Sequence, residues 1–170
     1  MRSALIIVAK DGYQDMEYAG TRKGLEDAGF TIVIASTATG PCRGKFGGSI
    51  EATVALPDVV VRDYDRVAYI GGPGAGELWK NDDAKRIARD VVAAGKPLGA
   101  ICIAPTILAA AGVLKNKRAT VWNEDGEQQG FIESYGAVYT GEAVTGDGLI
   151  VTGNGPGAAE EFGRVLAAIQ

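Results

Sequence analysis

Three stretches of this 170-residue chain put reactive or hydrogen-bonding groups where a fold would present them. The strongest is Gly99-Ala-Ile-Cys102-Ile-Ala-Pro105, an apolar run that passes through a cysteine into a proline-led segment. Ala100 and Ala104 flank the cysteine two residues away on either side. Small residues at those positions allow the tight strand-to-helix turn called a nucleophile elbow. Such a turn strains the backbone of its central residue and pushes that side chain out at the sheet edge. A thiol there faces a helix N-terminus, whose free N–H groups favour the thiolate. The competing reading is an inert core cysteine, which is common. The second stretch is Gly12-Tyr-Gln-Asp-Met-Glu17, at the start of a predicted helix. Acidic residues suit first helical turns for ordinary dipole reasons, and Asp15 serves that purpose equally. The functional reading has Glu17 reaching Cys102 across adjacent strand ends. Two such like charges would share a proton, and a protonated Glu17 would hold the thiolate and carry its proton. The third stretch is a pair of glycine-rich loops, Gly71-Gly72-Pro-Gly74-Ala-Gly76 and Gly153-Asn-Gly155-Pro-Gly157-Ala158. The first breaks the dinucleotide pattern, because Glu77 takes its last place. The second fits G-x-G-x-x-A, but the chain reaches Gln170 before a ribose-binding acid could follow. Their backbone N–H groups remain candidates for an oxyanion or carboxylate site.

The residue that is missing narrows the chemistry as much as those present. The chain contains no histidine. Mechanisms that need an imidazole base from this chain are excluded, Ser-His-Asp and Cys-His pairs among them. A homo-oligomer would not repair the gap. Histidine-ligated metal and haem sites also become improbable, and no metal or cofactor is expected. Cys42 and Cys102 form no C-x-x-C pair, and two thiols suit a reducing cytoplasm. Cys42, in Gly40-Pro-Cys-Arg-Gly44, has basic neighbours but no orienting partner, so it reads as a non-catalytic thiol. With 17 basic and 21 acidic residues the net charge is −4, which offers no footprint for nucleic acid or anionic lipid. The start of the chain is too short in apolar residues for a signal peptide, and no run has the length of a membrane span. The expected setting is cytoplasmic, without nucleic-acid or membrane partners.

The elements that must position these groups alternate strand and helix. Ala4–Ala9, Phe30–Ala35, Arg66–Ile70 and Pro97–Ile101 are short apolar runs, as expected for strands buried on both faces. Arg118–Trp122 and Gly148–Thr152 supply further strands. Helices are predicted from Asp15 to Ala28, around Ala84–Val92, from Pro105 to Leu114, and along Ala158, Phe162, Val165, Leu166 and Ile169. Gly40–Thr53 alternates weakly and reads as a β-hairpin insertion. This order implies one domain over 1–170: a flavodoxin-like three-layer αβα sandwich, with a mostly parallel central sheet. Ligands in such sheets sit beyond the carboxyl ends of the strands, where strand order reverses. Cys102, Glu17 and both glycine loops follow predicted strands. Trp79 and Trp122 do too and are candidate pocket walls, although core or interface packing is the commoner use of a lone tryptophan.

Taken together, four segments resemble the PfpI/ThiJ superfamily, which includes the Parkinson-disease-associated protein deglycase, and most closely its small PfpI-type members. They are Ala4–Glu17 with its Asp-x-Glu ending, the Ile70-Gly-Gly72 turn, Gly95-Lys-Pro97 through Cys102 to Pro105, and Ile107–Leu114. The resemblance implies Cys102 as nucleophile and Glu17 as its protonated carboxyl partner. It implies the Gly71 and Gly72 amides and the N–H of Ile103 around the reacting carbonyl oxygen. It places Glu77 near an acid that such members offer to a neighbouring subunit, although the loop lengths differ. It also implies a homodimer or higher homo-oligomer, and a cysteine prone to oxidation. Two departures matter. Peptidase-type members carry histidine directly after the cysteine, where this chain has Ile103. The deglycase-like branch carries a histidine after the fifth strand, where this chain has Trp122. The expected function is a cofactor-free glyoxalase III or deglycase-like enzyme acting on small reactive carbonyls. The alternatives are an oxidative-stress sensor without turnover, a cysteine peptidase, which the missing imidazole disfavours, and an isonitrile hydratase-like enzyme.

Overall fold

The computed structural model describes residues 2–170. In chain order it contains β1 (Ser3–Ile7), β2 (Asp11–Tyr13), α1 (Asp15–Asp27), β3 (Thr31–Ser36), β4 (Gly40–Gly44), β5 (Ser49–Ala52), β6 (Val54–Ala55) and β7 (Arg66–Tyr69). There follow α2 (Asp82–Ala93), β8 (Leu98–Ile101), α3 (Pro105–Ala110), β9 (Arg118–Ala119), α4 (Glu127–Ser134), β10 (Val138–Tyr139), β11 (Val144–Asp147), β12 (Ile150–Gly153) and α5 (Ala159–Ala168). Seven strands form one sheet in the order β11-β12-β8-β7-β1-β3-β6. Every pairing in it is parallel except β11 with β12.

The strand sequences explain the layers. Alternate residues of a strand face opposite sides of its sheet. On β1, Leu5 and Ile7 join one apolar cluster and Ala4 and Ile6 the other, all fully buried. The first cluster is completed by Ile87 and Val91 of α2, Ile107 and Leu108 of α3, and Ile132 of α4. The second takes Leu25 of α1 and Phe162 and Leu166 of α5. Both faces are thus covered, as continuous apolar strands require. The pair α1 and α5 packs unusually closely. A Cβ on Gly24 would lie 2.5 Å from the Gly163 carbonyl carbon, and one on Gly163 would lie 2.8 Å from the Thr21 carbonyl oxygen.

Several predicted boundaries move. The strand predicted over Arg118–Trp122 is paired only at Arg118–Ala119, and that predicted over Gly148–Thr152 runs Ile150–Gly153. The helix predicted from Pro105 to Leu114 stops at Ala110, with Gly112 in the left-handed region at φ 85°. Val92, placed on the buried stripe of its helix, is 43% exposed. The Gly40–Thr53 segment is a hairpin of β4 and β5, and β2 pairs with β4 to give a three-stranded side sheet.

The central sheet reverses its strand order at β1. The chain leaves β1 for β3 on one side and returns to β7 on the other. The crevice at the ends of β1 and β7, with β8 beside it, is where a doubly wound sheet offers a site.

Candidate active site

Cys102 follows β8 directly, and its backbone adopts φ 65°. A non-glycine residue at positive φ is uncommon and marks strain held by its surroundings. Two hydrogen bonds hold this one. The Cys102 N–H donates to the Gly153 carbonyl at 2.9 Å, and the Cys102 carbonyl accepts from the Trp122 N–H at 2.8 Å. The turn is therefore clamped between the ends of β12 and the segment after β9.

Glu17 arrives from the other side of the crevice. Helix α1 begins because the Gln14 side chain caps it, accepting from the Glu17 N–H at 2.8 Å. The Gln14 N–H in turn donates to the Gly71 carbonyl at 2.9 Å, tying the helix start to the turn after β7. The Glu17 side chain is completely buried, and its Oε1 accepts from the Gly71 N–H at 3.0 Å. Its Oε2 has no hydrogen-bond partner, and the carboxyl neighbours the Cys102 thiol. Gly71 lies between the two side chains. A Cβ there would sit 2.6 Å from the Cys102 Cβ and 2.7 Å from Glu17 Oε1, so only glycine fits.

Burial dominates the electrostatics. It pushes the Glu17 carboxyl up to about 7, against smaller opposing effects of the thiol and the Gly71 amide. It also pushes the Cys102 thiol up to about 12, with the neighbouring Glu17 raising it further. The N–H groups of Gly72 and Ile103, directed at the sulfur, pull the other way. Two ionised groups cannot coexist at this separation, so the pair gives up its first proton near neutrality and keeps the second. Helix α3 spans only six residues, so its dipole adds little to the two amides that cradle the sulfur.

The sulfur opens on a cleft of about 380 Å³. Its walls include Ile103, Trp122 and the hairpin residues Lys45 and Phe46. Gly155 has no side chain because a Cβ there would press on the Trp122 ring at 3.3 Å.

The chain matches the DJ-1/PfpI family over residues 2–169. It belongs to that family. Uncharacterized protein MJ0967 of Methanocaldococcus jannaschii is 33% identical over 168 residues, 98% of this chain and 82% of that protein. Deglycase PfpI of Pyrococcus furiosus is 30% identical over 116 residues, 68% of this chain and 70% of that one. The glutathione-independent glyoxalase DJR-1.2 of Caenorhabditis elegans is 29% identical over 95% of this chain and 84% of its own. Among solved structures, the ThiJ/PfpI domain protein of Brachyspira murdochii superposes with a TM-score of 0.94 at 25% identity, covering 99% of this chain and 97% of that one. The flavodoxin-like architecture is that of the DJ-1/PfpI family.

Within this DJ-1/PfpI chain the structure brings Cys102, Glu17, Gly71, Gly72, Ile103 and Trp122 to one crevice. Two expectations change. The Gly71 amide was expected at a carbonyl oxygen, but it is occupied by Glu17, which leaves the N–H groups of Gly72 and Ile103 as the donors beside the sulfur. Glu77 lines a separate cleft with Lys10, Asp11 and Lys80, because the 3-10 turn Pro73–Lys80 carries it away from Cys102. Trp79 packs edge-on against Phe131 on the far side of Ile103, away from the thiol. Cys42 is buried within the hairpin with its sulfur towards the Gly40 carbonyl. Gln14, Lys45, Phe46, Pro73 and Pro156 also line the cleft, and no sequence motif marks them for it. Gly47-Gly48 signalled a turn, but nothing local shows that this turn folds back over Cys102.

Proposed function

We propose that this protein is a cofactor-free, Cys102-dependent enzyme acting on small reactive carbonyls, glyoxalase III-like or deglycase-like. The observation that carries the reading is the pairing of a thiol held at positive φ with a buried carboxyl that titrates near neutrality. A carboxyl of that kind can give and take protons at neutral pH without an imidazole. The names of the deglycase and glyoxalase relatives support the same chemistry.

With methylglyoxal the steps are these. As the Cys102 sulfur forms a bond to the aldehyde carbon, the Glu17 carboxylate takes the thiol proton and passes it to the aldehyde oxygen, giving a hemithioacetal. The Glu17 carboxylate then takes the C–H proton from that carbon and returns it to the adjacent carbon. This internal transfer oxidises the first carbon to a thioester and reduces the second to an alcohol. Water cleaves the thioester, releasing lactate and restoring the thiol. The sum is methylglyoxal plus water to lactate, with no outside oxidant. The N–H groups of Gly72 and Ile103 are the donors available to charge developing beside the sulfur.

Lactate release from methylglyoxal is the test. Cys102→Ala should lower kcat/KM at least about a thousandfold, as loss of a nucleophile does. Glu17→Gln should lower kcat by about a hundredfold or more. Turnover by Cys102→Ala at the wild-type rate would refute the reading. The absent imidazole continues to argue against a peptidase.

A further inference from the structure

The hairpin tip forms one wall of the cleft and comes from outside the central sheet. One side chain holds it directly. The Asp15 carboxylate accepts from the Phe46 N–H at 2.9 Å and from the Gly48 N–H at 2.7 Å. Gly44 and Gly48 leave room for it, since a Cβ on either would strike that carboxylate. Asp15 stands two residues before Glu17 on α1, so the element that supplies the carboxyl partner also sets the tip. The tip is held a second time by the Lys45 N–H, which donates to the Tyr13 carbonyl at 2.8 Å.

What the tip presents is Phe46, 66% exposed yet lining the same cleft as Cys102 and Trp122. Ile103, Pro73 and Pro156 complete an apolar lining. A two- or three-carbon oxoaldehyde would leave much of a 380 Å³ cleft unfilled. An aromatic substituent on the carbonyl would fill it and meet two aromatic faces, a geometry that adds to simple burial.

We propose that the Asp15-pinned tip makes this cleft selective for α-oxoaldehydes bearing an aromatic or bulky apolar group, with Phe46 and Trp122 as the residues that select it. The inference rests on the carbonyl chemistry proposed above. Asp15 acts as a positioning residue, through Phe46.

The ratio of kcat/KM for phenylglyoxal to that for methylglyoxal is the first readout. Wild type should favour phenylglyoxal, and Phe46→Ala should reduce the ratio by about tenfold, the scale of one aromatic contact. Phe46→Tyr should restore it. Asp15→Ala should reduce the ratio through KM more than through kcat. An unchanged ratio in Phe46→Ala overturns the proposal. A second arm separates it from the underlying mechanism. In Cys102→Ala, calorimetry compares binding of 2-hydroxyacetophenone and hydroxyacetone, which resemble the two substrates but are not aldehydes. Tighter binding of the aromatic compound, weakened by adding Phe46→Ala, supports the selective wall even if wild type turns over neither oxoaldehyde. Equal binding of the two compounds, or no effect of Phe46→Ala, overturns it.

Discussion

Glu17 is a buried acid whose proton the folded state holds more tightly than the unfolded chain does. Its pKa rises from an ordinary 4.5 to about 7 because burial penalises the charge. The stabilising contribution of that retained proton is complete below pH 4.5 and is lost as pH rises through 7, a change of about 3 kcal/mol in all. Glu17→Gln should remove this slope, so urea midpoints measured from pH 4.5 to 8 should flatten relative to wild type. The same variant removes the like charge beside the sulfur. Its thiol should then titrate below that of wild type, followed by ultraviolet thiolate absorbance. An unchanged thiol titration would show that Glu17 does not face the sulfur. The two principal residues were legible in the sequence because each sits at the start of a helix just after an apolar strand. The destination of the Gly71 amide was not legible, since backbone N–H groups look alike until their acceptors are placed.

At the scale of elements, α1, which carries Glu17, packs against α5 through glycines. In an exposed helix, replacing glycine by alanine adds stability, roughly 0.5–1 kcal/mol. At Gly24 the sign should reverse. The new methyl would meet the backbone of Gly163 and Arg164 at 2.5–2.6 Å, and backbone cannot move aside as a flexible side chain can. Gly24→Ala should destabilise by about 1–3 kcal/mol, the usual range for overpacking. Urea unfolding measures it, and a gain in stability would mean that the helices are less close than described. Strongly patterned elements such as β1, α2 and α5 were readable from apolar spacing. Helix α4 and strand β11 were not anticipated. Only Ile132 of α4 is buried, and β11 alternates weakly at the antiparallel edge. The end of α3 was overestimated because Ala111 and Leu114 continue the apolar pattern past the point where Gly112 breaks the helix.

For the molecule as a whole, the order of strands makes one site from distant parts of the chain. Glu17 follows β1, Gly71 follows β7, Cys102 follows β8, and Trp122, after β9, and Gly153, at the end of β12, close the turn. The alternation of strands and helices made that convergence foreseeable. The path of the hairpin across the crevice depends on contacts such as Asp15 with the tip, which leave no periodic trace. The clamp on the Cys102 peptide has a thermal consequence. One anchor, Gly153, ends β12 of the central sheet, where strands separate only when the whole domain comes apart, and the other, Trp122, lies in the segment after β9. The proposed chemistry therefore depends on the central sheet holding together. On slow heating, the catalytic rate after brief cooling and the circular dichroism signal should disappear over one shared midpoint. Inactivation several degrees earlier would mean that the turn melts on its own.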